Sequence, residues 1–157
     1  MRIRGIDFSG AATPGRNIWL TDGELNGDTL ELTACRPAAE ALGATAREPV
    51  LDALRALLRN HDGAVGLDFS FGLPAELLPV DVGGWVGSVE WFAETFAGAD
   101  APAMRETLKE RARASEVDGV ELKRRTDDAV GANSPYSFIT YYQTLYEIGR
   151  ASCRERV

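Results

Sequence analysis

Two short segments of the chain place an aspartate in the same setting. They read Gly-Ile-Asp-Phe-Ser at residues 5–9 and Gly-Leu-Asp-Phe-Ser at residues 66–70, with Asp7 and Asp68 at the centre of each. Both segments have the apolar composition of buried strands. If these strands are parallel neighbours, the two carboxylates lie level near the strand ends where open α/β sheets bind ligands. Two close carboxylates repel each other unless a cation lies between them, and Mg²⁺ or Mn²⁺ is the expected occupant. The alternative is that each aspartate only caps a neighbouring turn.

The elements around the two segments favour that neighbouring arrangement. Strands are predicted over residues 3–8, 17–24 and 29–35, and Asn26-Gly27 predicts a type I′ hairpin turn between the last two. The alternation in the third strand predicts that Leu30 and Leu32 are buried. These strands form a meander. A fourth strand over residues 64–71 comes after a helix, so a right-handed crossover places it parallel to the first strand and beside it.

The helices are predicted from apolar spacing. The crossover helix has Pro49 in its first turn and Gly63 as its left-handed cap, and its apolar stripe is Val50, Leu51, Leu54, Leu57 and Leu58. Downstream, one buried helical face holds Trp85, Val89, Phe92 and Phe96, and a charged helix covers residues 103–115. Residues 118–135 are polar and predict irregular structure. An amphipathic helix is predicted over residues 137–146, with an apolar face of Phe138, Tyr141, Tyr142 and Leu145.

The last segment, EIGRASCRERV at residues 147–157, breaks the pattern before it. It looks like the translated read-through of a common sequencing adapter, and a segment of that kind is left out of fold reasoning. The alternative is a basic C-terminal tail. On the adapter interpretation the chain consists of an incomplete domain at residues 1–146 and a non-native tail at 147–157, and the natural protein continues beyond Tyr146.

Composition excludes several classes of protein. No apolar run is long enough for a membrane span, and the N-terminus lacks the apolar core of a signal peptide, so a cytoplasmic protein is expected. The formal net charge of −7 excludes a globally basic nucleic-acid coat. Two cysteines, Cys35 and Cys153, make neither a disulfide framework nor a zinc site. Cys35 is expected to be a small buried residue, and the single histidine, His61, is expected to be structural.

Taken together, these features resemble the ribonuclease H-like fold, and more closely the family of predicted nucleases with that fold (domain-of-unknown-function family 429). The resemblance covers essentially all of residues 1–146, and the segments that carry it are GIDFSGA at 5–11, NIW at 17–19, GLDFSFGLP at 66–74, RTD at 125–127, NSP at 133–135 and QTLY at 143–146. The resemblance implies an α/β fold with a mixed sheet in the order 3-2-1-4-5, strand 2 antiparallel to its neighbours, and flanking helices. The fifth strand is expected to be missing from this chain.

The resemblance also implies metal-dependent hydrolysis of nucleic-acid phosphodiester bonds, with Asp7 and Asp68 as catalytic metal ligands for Mg or Mn. Such enzymes draw further acids from the helix after the third strand, and Glu48 and Asp52 lie there. Their alternative role is to complement the positive end of the helix dipole. The last family acid follows the fifth strand, so this chain is expected to be inactive if that strand is missing.

Residues that contact substrate are expected in two places. Lys123, Arg124 and Arg125 form the one concentrated positive cluster, which either binds phosphates or is a solvated loop neutralised by nearby acids. Ser9 and Gly10 lie in a turn that is suited to cradle a phosphate.

Two other functions stay open from sequence. One is a nucleotide-binding or phosphotransfer protein of the actin-like superfamily, which shares this core. The other is a non-catalytic interaction module whose acids only cap turns.

Overall fold

The structure is a computed structural model that describes the backbone of residues 1–151 and the side chains of residues 1–148. Residues 152–157, which include Cys153 and most of the predicted non-native tail, lie outside the described residues. The chain divides into two compact units, Met1–Asp68 and Phe69–Val157. They are called the sheet unit and the helical unit below. No helix of the described residues is long and apolar enough to span a membrane.

The sheet unit contains four strands in the order β3-β2-β1-β4. They are β1 (Arg2–Asp7), β2 (Trp19–Asn26), β3 (Thr29–Pro37) and β4 (Ala64–Asp68). Strand β2 is antiparallel to β1 and β3, and β4 runs parallel to β1. The predicted mixed sheet, the meander and the parallel crossover strand are therefore confirmed for the described residues.

The hairpin between β2 and β3 differs from the prediction in its turn. Asn26 pairs with Thr29, so the two loop residues are Gly27 and Asp28 rather than Asn26 and Gly27. Gly27 has a φ of +60°, whereas Asp28 is not among the residues with positive φ. A type I′ turn needs positive φ at both loop positions, and glycine at the first position alone is the type II′ pattern.

Strand β3 is more exposed than its alternation predicted. Leu30 is 49% and Leu32 is 65% exposed, so the prediction of a half-buried strand is wrong. Cys35 on the same strand is also exposed, contrary to the expectation of a buried residue. Strand β3 is one of the two edge strands of the sheet. Alternation marks which side chains share a face, but it does not decide whether another element covers that face.

Two helices complete the sheet unit. Helix α1 (Ala38–Leu42) was not predicted, because five residues are too few to show a helical period, and α2 (Arg47–Asn60) is the predicted crossover helix with Pro49 in its first turn. Val50, Leu51 and Leu54 of α2 are buried. The predicted cap at Gly63 is wrong, since α2 ends on His61 in an extended conformation. The buried apolar residues of this unit are Ile6, Phe8, Ile18, Leu20, Ala38, Val50, Leu51 and Leu54.

The helical unit packs around one apolar core. Its helices are α3 (Gly84–Thr95), α4 (Ala101–Ala114), α5 (Arg125–Ala129) and α6 (Tyr141–Ala151). The core consists of Leu73, Leu77, Val89, Phe92, Phe96, Ala101, Met104, Leu108, Ala112, Leu122, Tyr136, Leu145 and Ile148. The Tyr136 ring is fully buried, and its hydroxyl accepts a hydrogen bond from the Leu122 backbone N–H at 2.7 Å. This bond satisfies two polar groups that burial would otherwise leave without water.

Three predictions for the helical unit need correction. Trp85 is 57% exposed, although Val89, Phe92 and Phe96 on the same helix are buried as predicted. The polar segment 118–135 contains the short helix α5.

Helix α6 begins at Tyr141 rather than at residue 137. Phe138 and Tyr142 are exposed, and the face of α6 that packs inward carries Thr144, Leu145, Glu147 and Ile148. The buried face thus extends beyond Tyr146.

Candidate functional site

The ends of β1 and β4 bring the two matched aspartates together. In the parallel register of these strands Gly5 lies opposite Gly66 and Asp7 lies opposite Asp68. Residues paired across neighbouring strands project to the same face of a sheet. Asp7 and Asp68 therefore lie at the same level along the two strands and on the same face of the sheet, at the carboxyl ends of both strands. Both aspartates are exposed.

The opposite face of the same strands is the buried one. Ile6 is 3% exposed and pairs with Leu20 on β2 and with Leu67 on β4. Because side chains alternate along a strand, burying Ile6 turns Asp7 to the other face. The apolar residue before each aspartate thus decides where the carboxylate points.

The neighbours of the two aspartates leave room beside them. A Cβ built on Gly5 would meet the nearest heavy atom at 3.9 Å, and one built on Gly66 would also meet its nearest heavy atom at 3.9 Å. The absence of these side chains exposes the surface of the strands next to Asp7 and Asp68.

A tryptophan also lies beside this pair, and the sequence interpretation did not assign it to the site. Trp19 on β2 is the antiparallel partner of Asp7, and its side chain is 42% exposed. The signal that identifies it is register: a hairpin that pairs Ile6 with Leu20 must pair Asp7 with Trp19.

The donor set suits a single hydrated divalent ion. The described residues contain no group of three or more His, Cys, Asp or Glu side chains arranged to hold a metal. Mg²⁺ needs no such cage, because one or two carboxylates, several waters and substrate phosphates commonly hold it. Asp7 and Asp68 fit that mode of binding. A site built entirely from protein ligands would need acids that the described part of the chain does not bring to this place.

The other two acids that sequence suggested lie on α2. Glu48 is in the first turn of that helix, as the dipole alternative requires. The Asp52 carboxylate accepts a hydrogen bond from Arg55 at 2.6 Å, one turn further along the same helix. The structure does not join either acid to Asp7 and Asp68 in a metal-holding group.

The turn that follows β1 is held by the start of α2. The Arg47 guanidinium donates to the carbonyl oxygens of Gly10 and Ala11, at 3.2 and 2.9 Å. The Ser9 hydroxyl accepts a hydrogen bond from the Ala11 N–H at 3.3 Å. A Cβ on Gly15 would lie 2.3 Å from the Ala44 carbonyl oxygen, so only glycine fits this close approach. Ser9 and Gly10 therefore belong to a turn of restrained geometry.

The three basic residues in the helical unit have different surroundings. Arg124 pairs with the buried Asp127, whose carboxylate accepts from the Arg124 Nε at 2.8 Å and from its Nη2 at 2.6 Å. The guanidinium of Arg124 and its backbone N–H hold the pKa of Asp127 below its usual value. Lys123 and Arg125 are both exposed. Arg124 thus supports the structure of this segment, while its two neighbours face solvent.

His61 lies at the other end of the sheet. It lines a small cavity together with Arg2, Arg4 and Asp22, and Arg4 pairs with Asp22 at 2.5 Å. The opposite end of β1 carries Asp7, so this cavity is separate from the aspartate pair.

Comparisons of the chain with protein-family models, with curated proteins and with solved structures found no match.

Proposed function

We propose that the protein is a metal-dependent nuclease that hydrolyses phosphodiester bonds of nucleic acids, with Asp7 and Asp68 holding Mg²⁺ or Mn²⁺. One observation carries the proposal: the parallel register sets Asp7 directly opposite Asp68, at the carboxyl ends of adjacent strands. The order of the sheet, β3-β2-β1-β4, also agrees with the ribonuclease H-like fold that the sequence resembles. The cytoplasmic location and the fifth strand of that fold stay predictions.

The bound ion would act as a Lewis acid on a phosphate oxygen of the substrate. The task of the chain is to set two carboxylates at a fixed separation, and β1 and β4 do this through the backbone hydrogen bonds between them. Strand positions are more rigid than loop positions, which favours precise placement of metal ligands. The neighbouring Gly5 and Gly66 leave the surface open for a substrate backbone to approach.

The electrostatics of the pair favour a cation as well. Two exposed carboxylates on paired strand positions repel each other. A divalent cation between them converts that repulsion into attraction, and a phosphate diester bound to the cation then meets less negative charge. An acidic protein can in this way accept an acidic substrate.

The test is cleavage of labelled single-stranded and duplex DNA and RNA in Mn²⁺ or Mg²⁺ by the purified full-length protein, which includes the natural sequence expected after Tyr146. We expect cleavage that EDTA abolishes and that Asp7→Asn and Asp68→Asn each reduce by on the order of 100-fold or more, since each removes a charged metal ligand. Asp28→Asn is the matched control, because Asp28 is an exposed aspartate in the hairpin turn. Equal cleavage by the wild type and both site variants would contradict the proposal.

The same preparations separate the alternative functions. Hydrolysis of Mg²⁺-ATP that depends on Asp7, without cleavage of any nucleic acid, would favour the nucleotide-binding alternative. A melting temperature that Mn²⁺ leaves unchanged would favour an interaction module, since a ligand that binds only the folded state raises stability.

A further inference from the structure

The helical unit contains a strained turn over Ser70–Gly72. Phe71 has a φ of +48° and is the only non-glycine residue with positive φ among the described residues. The Gly72 N–H donates to the Ser70 carbonyl at 2.6 Å, which closes a three-residue turn. Positive φ is unusual for a bulky residue and marks the strained form of this turn. Such strain persists only where the surroundings over-determine the backbone.

The surroundings of this turn do hold its main chain at every residue. The Arg124 guanidinium donates to the carbonyl oxygens of Ser70 and Gly72. The Trp85 indole N–H donates to the carbonyl of Phe71 at 2.5 Å. Helix α6 supports Ser70 as well, since the Ser70 hydroxyl shares a hydrogen bond with the Thr144 hydroxyl, 2.8 Å away.

Although these contacts fix the main chain of the turn, the aromatic rings of Phe71 and Trp85 remain exposed to solvent. Phe71 is 47% exposed and Trp85 is 57% exposed. The hydrogen bond between them joins the two residues side by side, and the Phe69 ring lies 5.6 Å from the Phe71 ring between centroids. Strain and exposed aromatic area both oppose stability. A binding role for these residues explains why the fold retains a strained turn and two exposed aromatic rings.

Basic residues lie at and beside the arginine that contacts this turn. Arg124, which donates to the residues on both sides of Phe71, is flanked in sequence by the exposed Lys123 and Arg125. Two of the nearby acids are paired, because Asp127 pairs with Arg124 and Glu121 pairs with Arg105 at 2.5 Å, while Asp128 is exposed. Two exposed cations therefore adjoin, in sequence, the arginine that contacts the turn bearing the exposed Phe71 ring.

We propose that Phe71, Trp85, Lys123 and Arg125, called here the aromatic-basic surface, bind single-stranded nucleic acid. Bases stack on the two rings, and phosphates contact the two cations. This pairing of aromatic and basic groups is how proteins bind single strands without reading sequence. A duplex covers the faces of its bases, so it gains only the phosphate contacts. The inference rests on the proposed function and deepens it by naming the form of the substrate.

The test is fluorescence anisotropy of a labelled single-stranded oligonucleotide, titrated with the purified protein in EDTA so that no cleavage occurs. We expect the single strand to bind at least about 10-fold more tightly than a duplex of the same sequence. Phe71→Gly and Trp85→Ala should each weaken binding by about 5- to 150-fold, the effect of losing one base stack. Lys123→Gln and Arg125→Gln should each reduce the salt dependence by about 0.7 in log–log slope.

The variants are chosen so that loss of folding is not mistaken for loss of binding. Glycine adopts positive φ without strain, so Phe71→Gly should melt no lower than the wild type. Phe138→Ala is the matched aromatic control, since Phe138 is 74% exposed in the same unit. Arg113→Gln is the matched charge control, because Arg113 is exposed on α4. Both control variants should bind like the wild type.

Failure of this inference is distinguishable from failure of the proposed nuclease activity. Unchanged binding in folded Phe71→Gly and Trp85→Ala overturns the aromatic-basic surface, even if Asp7-dependent cleavage is found. Selective binding that these variants lose supports the surface, even if no cleavage occurs. Self-association that the same variants abolish, without binding to oligonucleotides, would reassign the rings to a second copy of the chain and overturn the proposal.

Discussion

The two units of this chain differ in the size of their buried core and in the surroundings of their acidic residues. The helical unit has one large buried core, in which Phe92 is 1% and Met104 and Leu108 are 0% exposed, although Phe71, Trp85 and Phe138 lie outside that core. In the sheet unit the edge strand exposes Leu30 and Leu32, and β4 alternates between exposed and half-buried positions. The helical unit therefore contains the larger and better covered core, and the sheet unit leaves a strand surface open.

Their aspartates show the same contrast. Asp127 of the helical unit is 5% exposed and is held by an arginine. Asp7 and Asp68 of the sheet unit are exposed and lie opposite each other in register. Removing one partner of a buried ion pair destabilises a fold, whereas like charges on directly paired strand positions repel each other. The contrast teaches that residue type alone does not separate a structural acid from a candidate metal ligand. The neighbouring residue separates them: Asp127 lies against an arginine, whereas Asp7 lies opposite a second aspartate.

The largest expected effect is on the core of the helical unit. Phe92→Ala should lower the free energy of unfolding by about 3–5 kcal/mol, since it removes a fully buried ring and leaves a cavity. Urea unfolding followed by circular dichroism measures this. Phe138→Ala, at an exposed position, should change stability by less than about 0.5 kcal/mol. Similar decreases in the free energy of unfolding for Phe92→Ala and Phe138→Ala would show that the described core is not the main source of stability in this unit.

A smaller effect is expected at the buried ion pair. Asp127→Asn should lower the free energy of unfolding by about 2–3 kcal/mol at pH 6, because it leaves the Arg124 guanidinium without its charged partner. The pKa of Asp127 lies below its usual value in the folded protein. The unfolded state then binds more protons through this group in acid, so the contribution of the carboxylate is complete above about pH 4 and is lost as pH falls through the folded pKa. The difference between wild type and variant, measured in urea from pH 6 to pH 2.5, should shrink towards acid. A difference that is constant over this range would contradict the role of the ion pair.

The smallest effect, and one of opposite sign, is expected at the candidate site. Asp7→Asn and Asp68→Asn should each raise the free energy of unfolding by about 0.5 kcal/mol in metal-free buffer, because each removes the repulsion between like charges on paired strands. Thermal unfolding in EDTA at low salt measures this, with Asp28→Asn as the control. Added Mn²⁺ should then stabilise the wild type more than either variant. A loss of stability in both variants without metal would place these aspartates with Asp127 as structural acids.

Strand order was predictable because several local signals agreed with one another. The hairpin at residues 26–28 and the crossover helix each constrain how neighbouring strands connect, and the structure has β1 between β2 and β4 as expected. Short elements were not predictable, since α1 and α5 contain five residues each and show no complete period. Trp85 has the same helical spacing as Val89 and Phe92, yet its side chain is exposed. Periodicity identifies which residues share a helix face, but it does not show how far along that face other elements pack against it.

The sequence by itself determined the chemistry that this chain can offer at its sheet, namely two aspartates that each follow an apolar strand residue. Side-chain alternation then dictates that burying Ile6 turns Asp7 to the other face. Only the tertiary structure decided which charges are paired and which rings stay in solvent. Arg124 holds Asp127 and the turn at Ser70–Gly72, while Lys123 and Arg125 beside it are exposed. The pair between Arg124 and Asp127 is local, three residues apart. The contact of Arg124 with Ser70 instead joins residues 54 positions apart, and a local sequence pattern does not specify contacts at that separation.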